Sequence, residues 1–245
     1  MISSNAHIQQ PTAAMLVIGD EILSGRTQDT NTQFIACKLT EAGIRLVEVR
    51  IVSDSHDEIV LAVNRLRSKY NYVFTSGGIG PTHDDITADA IADAFGVGIN
   101  VREDAKRILS SNYSDGDKAL NEARLRMARI PDEAMLIENP VSKAPGFALD
   151  NVYVMAGVPE IFKVMVDSII PLLTGGPPLL AISVKFFKPE SEIAKRLEYI
   201  ASNFSGGTIG SYPFSYQGVH GTNVVARHFD EESLKDIEAK LKELS

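Results

Sequence analysis

The N-terminal part of the chain alternates three times between a short apolar run and a segment of helical periodicity, a rhythm few folds accommodate. Ala13 to Ile18 (AAMLVI) is an apolar run closed by Gly19, as expected of a strand buried on both faces. Asp29-Thr30-Asn31 supplies capping side chains. Phe34, Ile35, Leu39 and Ala42 then recur at helical spacing until Gly43 stops the helix. Ile44 to Val52 alternates as a strand does. Asp54 and Ser55 cap a second helix with Ile59, Val63, Leu66 and Tyr70 on its apolar face. Tyr72 to Thr75 reads as the third strand, and a helix from Thr87 to Phe95 ends at Gly96. This order predicts an α/β fold, a mostly parallel sheet with helices on both faces.

Residues 103–129 read as helical but polar, broken near Ser114-Asp-Gly116, and are expected to form a helical insertion or lid. Ala134 to Ile137 and Val152 to Ala156 read as further strands. A helix follows from Pro159 to Leu173, with Ile161, Phe162, Met165 and Ile169 on one face. Thr174-Gly-Gly-Pro-Pro178 is the clearest linker. Beyond it come a strand (Leu180 to Phe187), a helix (Glu190 to Phe204), two strands (Thr208 to Pro213 and Thr222 to Phe229) and a helix (Glu231 to Leu244). The expected organisation is a larger domain over 12–174 and a small βαββα, α+β domain over 179–245.

A formal net charge of −8 argues against a nucleic-acid partner, which a basic stripe would announce. The N-terminal stretch lacks the basic and apolar regions of a signal peptide, and no apolar run approaches the roughly 20 residues that span a bilayer. A cytoplasmic protein without a membrane partner, assembled as a homo-oligomer, is expected. Cys37 is the only cysteine, which excludes an intrachain disulfide; its place in a helical pattern predicts a buried side chain.

In parallel α/β sheets, ligands sit beyond the carboxyl ends of the strands. Three motifs fall there: Gly19-Asp-Glu-Ile-Leu-Ser-Gly25, Ser76 to Asp85 within FTSGGIGPTHDDIT, and Ala156-Gly-Val-Pro-Glu160. Gly77, Gly78 and Gly80 let main-chain N–H groups approach a phosphate. Pro81 stiffens the exit, and Ser76, Thr82 and Thr87 offer hydroxyls. The run is neither a Walker A loop nor a dinucleotide fingerprint. Asp84 and Asp85 would repel an anion, yet beside Asp20 and Glu21 they form the oxygen-rich seat that Mg²⁺ uses to bridge carboxylate and phosphate. His83 reads either as solvated or as a proton carrier. Asn31 is either a cap or a ligand donor. Gly157 and the helix after Pro159 are placed to meet an anion.

GDEILSG with Asp29-Thr30-Asn31, TSGGIGPTHDDIT, Asn139-Pro-Val-Ser-Lys-Ala-Pro-Gly-Phe147 and AGVPE together resemble the molybdopterin-binding (MoCF-type) domain. They are most similar to the branch formed by the N-terminal region of CinA, the competence/damage-inducible protein. The second unit, with Gly210-Ser-Tyr-Pro213, resembles that branch's small domain. The resemblance implies a small-molecule ligand, a nucleotide or a pterin such as molybdopterin. It also implies divalent-metal-dependent (Mg²⁺ or Co²⁺) hydrolysis of a nucleotide pyrophosphate such as ADP-ribose or FAD. The alternative is non-hydrolytic molybdopterin binding or a role in molybdenum cofactor biosynthesis. On this reading Asp84 and Asp85 are catalytic and, with Asp20, hold the metal. Gly19, Glu21, Lys143 and Gly146 join the glycine-run, Asn31, Gly157 and Pro159 residues in binding ligand. Ser142-Lys143 and Ala156 depart from the branch's Gly-Thr and Pro.

Overall fold

A computed structural model describes residues 10–216 and 218–244. The chain divides into two compact units, Met1–Gly176 and Pro177–Ser245.

In the first unit the alternation becomes β1 (Thr12–Ile18), α1 (Asp20–Leu23), α2 (Asn31–Glu41), β2 (Arg45–Val52), α3 (His56–Arg67), β3 (Tyr72–Ser76) and α4 (Thr87–Phe95). Next come β4 (Ile99–Val101), α5 (Glu103–Ser110), a 3₁₀ turn (Gly116–Ala119), α6 (Glu122–Arg126) and β5 (Arg129–Pro131). The unit closes with β6 (Met135–Ile137), β7 (Gly146–Leu149), β8 (Val152–Met155) and α7 (Pro159–Ile169). A six-stranded sheet has the order β2-β1-β3-β8-β7-β6. Its first four strands are parallel, and β7 runs antiparallel to both β8 and β6. The mostly parallel α/β architecture read from the sequence is therefore present.

The strand period places successive side chains on opposite faces. Ala14, Leu16 and Ile18 of β1 pack with Ile59, Val63 and Leu66 of α3 and with Ala90 and Ile91 of α4. Ala13, Met15 and Val17 pack with Ile35 and Leu39 of α2 and with Phe162, Met165 and Ile169 of α7. Both faces are covered, so β1 reads as an unbroken apolar run. Burial of a side chain such as Phe162, fully inaccessible, contributes about 2 kcal/mol. Gly96 closes α4 in the left-handed conformation (φ 67°). Pro159 opens α7 at its first turn, where a missing N–H costs nothing.

The structure refines one sequence expectation and changes two. Residues 103–129 form the broken helical insertion expected, two short helices and a 3₁₀ turn, and the three-residue strands β4 and β5 that the sequence did not show enclose it. The helix begun at Pro159 ends at Ile169, and a 3₁₀ turn spans Ile170–Leu172; Pro171 has no N–H to extend the helix. Cys37 is exposed: it lies two residues from both Ile35 and Leu39, on the opposite side of α2 from its buried stripe.

The second unit consists of β9 (Leu180–Phe186), α8 (Glu190–Ser202), β10 (Thr208–Tyr216), β11 (Val219–His228) and α9 (Glu231–Lys242). Its antiparallel sheet, order β10-β11-β9, packs Val224, Ala226 and Phe186 against Ile193 and Leu197 of α8 and Leu234, Ile237 and Leu241 of α9. No helix among the described residues is long and apolar enough to cross a membrane.

Candidate functional site

The carboxyl ends of four parallel strands lie level, with Ile18 paired to Val52, Val17 to Ser76 and Ser76 to Met155. From β1 the chain proceeds to β2 on one side and β3 on the other, making the gap between β1 and β3 a topological switch point. The loops that leave these ends enclose a cleft of about 460 Å³. Glu21 enters it from α1, Asp54 from the loop after β2, and Ala156 and Gly157 from that after β8. Gly77, Gly78, Gly80, Pro81, Asp84 and Asp85 all line it from the loop after β3.

The three glycines are not equivalent. The Gly77 N–H donates to Met155 O at 3.1 Å, so this amide is committed to the sheet and is not part of a phosphate cradle. Gly77 is required for close approach: at φ 109°, a Cβ there would lie 2.1 Å from the Ile18 carbonyl oxygen. The amides of Gly78 and Gly80 have no partner among the described residues. Thr87 is fully buried; its hydroxyl donates to Gly77 O (3.1 Å) and its N–H to Gly78 O (2.9 Å). It holds the turn in shape and is no ligand donor, correcting the sequence expectation.

The carboxylates divide in the same way. Asp85 Oδ2 accepts both the Thr82 N–H (2.8 Å) and the Thr82 hydroxyl (2.5 Å), which closes the loop on itself. Asp84 is exposed, and the hydrogen-bond donors of its own loop hold its carboxyl below the ordinary carboxylate value. Asp54 behaves oppositely: burial raises its carboxyl, and the charges of Glu21, Asp20 and Asp84 add to that, against the Asp20 N–H donated to Asp54 Oδ2 at 3.0 Å. The Asp20 backbone thus faces Asp54, and Asp20 is absent from the cleft lining. Among the described residues, no three His, Cys, Asp or Glu side chains converge on a point that could hold a metal ion. Asp20, Asp84 and Asp85 form no preformed three-ligand centre. The His83 side chain is 98% exposed and solvated.

A smaller recess of about 50 Å³ adjoins the cleft through Ile18, Glu21 and Gly157, and Asn31, Ser76 and Pro159 line it. Asn31 donates to Ser76 Oγ and to Gly157 O, both at 2.8 Å, while its backbone N–H donates to Asp29 Oδ1 (3.0 Å). Other expected ligand residues stand apart. The Gly19 N–H donates to Val52 O, and Gly146 is buried in β7, where a Cβ would meet Val154 O at 2.4 Å. Lys143 adopts φ 58° in the loop between β6 and β7, yet Ser142 and Ala144 line the cleft instead. Thr82 also lies outside the lining, spent on Asp85.

The sequence reading gave no ligand role to Asn139, Ser142 or Met127, all in the cleft wall. Asn139 is buried and fully used: its Nδ2 donates to Ser142 Oγ (2.6 Å) and Ala144 O (2.8 Å), and its Oδ1 accepts from the Val141 and Ser142 amides. An Asn before Pro is a turn signal and marks such a residue.

This geometry has relatives. Residues 14–175 match the family described as "Probable molybdopterin binding domain", and residues 178–245 match "FAD synthase, middle domain". The chain belongs to the molybdopterin-binding-domain family. Within it, CinA of Thermoplasma acidophilum, a protein of unknown function, superimposes with a TM-score of 0.61 and 35% identity, covering 65% of this chain and 95% of that one. A Thermococcus kodakarensis protein is 38% identical over 63% of this chain and 66% of its own length. A Caenorhabditis elegans protein named "Probable FAD synthase" is 30% identical over 96% of this chain. The chain spans about half the length of that FAD synthase.

Proposed function

We propose that the cleft binds a nucleotide- or pterin-type phosphate ligand and hydrolyses a nucleotide pyrophosphate of the ADP-ribose or FAD kind. The observation that carries this reading is the pairing, in one cleft at the strand ends, of two unpartnered loop amides with the exposed carboxylate of Asp84. Amides at a glycine turn suit a phosphate oxygen, and Asp84 beside them suits a cation shared with that phosphate. Mg²⁺ is commonly held by one or two carboxylates plus the ligand's own phosphates, a set that the cleft carboxylates and a bound phosphate would supply. Asp84, with Glu21 across the cleft, would hold it. When bound, the cation offsets phosphate charge and makes water a better nucleophile.

The chain's own residues do the rest. Gly78 and Gly80 donate to a non-bridging oxygen and stabilise the charge that grows there in the transition state. Asp54, with its raised carboxyl, takes the proton as water oxygen bonds to phosphorus. The phosphoanhydride P–O bond breaks, and ADP-ribose yields AMP and ribose 5-phosphate. The match of residues 178–245 to the family described as "FAD synthase, middle domain" supports a flavin nucleotide among the ligands to try. Non-hydrolytic binding of molybdopterin is the competing reading, favoured by the family to which the chain belongs.

The test incubates the full chain with ADP-ribose, FAD and NAD, with Mg²⁺ or Co²⁺ and with EDTA, while AMP is followed. Metal-dependent AMP release supports hydrolysis. Molybdopterin binding without turnover on any of the three supports the carrier.

A further inference from the structure

The cleft lining contains carboxylates and no Lys or Arg, although a phosphate ligand brings more negative charge. Against the Gly78–Gly80 turn lies a void of about 10 Å³ that shares Gly78, Gly80, Asp85 and Met127 with the cleft. Two cations, Arg126 and Arg129, line this void. Arg129 is occupied, since its guanidinium pairs with Asp89. Arg126 is not: its Nε is buried without a hydrogen-bond partner, and no ion pair engages it among the described residues. The nearby Arg124 shows the contrast, donating to Ala119 O (2.6 Å) and lying 4.2 Å from the Tyr113 ring centroid. Of the two acids in the void's lining, Asp89 pairs with Arg129 and Asp85 has Oδ2 taken by Thr82.

An unpaired, buried N–H is costly, and Arg126, a partly buried residue, carries its charge in the wall of this void. We propose that Arg126 is the positioning cation of this site. Its charge, held against the glycine turn, selects ligands that place a phosphate or pyrophosphate on the cleft side over neutral nucleosides or pterins. The inference rests on the reading of the cleft as a phosphate site. It also gives residues 103–129 a function: the α6 segment delivers Arg126 and Met127 to the turn.

The test measures ADP-ribose binding with Mg²⁺ by titration calorimetry for wild type, Arg126→Gln and Arg126→Lys, at low and high salt. Arg126→Gln should bind about tenfold more weakly, with a flatter salt dependence and a melting temperature no lower than wild type, and Arg126→Lys should recover most of the loss. Should hydrolysis be present, KM rises and kcat stays. Equal affinity in wild type and Arg126→Gln would overturn the proposal, as would a Lys variant as weak as the Gln variant. If Arg126→Gln does not fold, the Lys variant decides alone: near-wild-type affinity and salt slope support the proposal, and a tenfold loss with a flat slope contradicts it. Wild type that binds no ADP-ribose overturns the phosphate-site reading itself, a separate outcome.

Discussion

Asn31 donates its side-chain amide to Ser76 Oγ, so that the first residue of α2 is fastened to the last residue of β3. The same amide reaches Gly157 O, tying in the loop after β8. Three chain segments distant in sequence meet at one buried side chain that is 6% exposed. Asn31→Ala strands the buried Ser76 hydroxyl and frees the part-buried Gly157 carbonyl, and should cost about 2 kcal/mol in urea unfolding. Asn31→Asp should cost more, because a carboxylate would face the Gly157 carbonyl. Equal stability of Asn31→Asp and wild type would remove this residue from the account.

Glycine positions separate by their surroundings. Gly77 and Gly25 both have positive φ (109° and 73°), but only Gly77 has a backbone oxygen where a Cβ would sit. Gly25→Ala should lose about 1 kcal/mol, and Gly77→Ala about 3 kcal/mol or more, read as thermal melts.

Stability should respond to acid through Glu48. The Tyr70 hydroxyl donates to Glu48 Oε2 (2.5 Å), Arg50 donates to Oε1 (2.6 Å) and Lys69 to Oε2 (3.1 Å); together they lower its carboxyl to about 2. Because the folded value lies below the ordinary 4.5, the contribution is present in full above that pH and is lost as pH falls through about 2. The stability gap between wild type and Glu48→Gln should therefore be widest near neutral pH and close towards pH 2. A gap independent of pH would contradict it.

The adjacent carboxylates should give different phenotypes. Asp85→Asn weakens the bonds from Thr82 that close the loop, and should lower both melting temperature and ligand affinity. Asp84→Asn touches an exposed side chain and should leave the melt within about 1 °C of wild type while removing metal-dependent ligand affinity.

Much of this was legible in the sequence because burial on both faces of β1 leaves a continuous apolar run and because Gly43 and Gly96 punctuate helices. The short β4 and β5 escaped notice, since three-residue strands such as Ile99–Val101 carry too few positions to show a period. Gly146 reads as a ligand glycine only through the family resemblance of the Asn139–Phe147 motif; its place in β7 follows from pairing with Ile137, a tertiary fact. The loop motifs marked the right rim. They did not say which groups were spent internally: the Gly77 amide on Met155, the Thr87 hydroxyl on Gly77, and Asp85 on Thr82. Asp54 reads in sequence as a helix cap, yet no side chain caps α3: Asp54 accepts the Asp20 N–H instead and lines the cleft, because β2 lies beside β1.

The most direct test is the rate of AMP release from ADP-ribose with saturating Mg²⁺, for wild type and Asp84→Asn. Metal-dependent turnover by wild type, abolished by EDTA and reduced about a hundredfold or more in a folded Asp84→Asn, is the predicted result. Wild type without turnover, or Asp84→Asn as fast as wild type, would contradict the account.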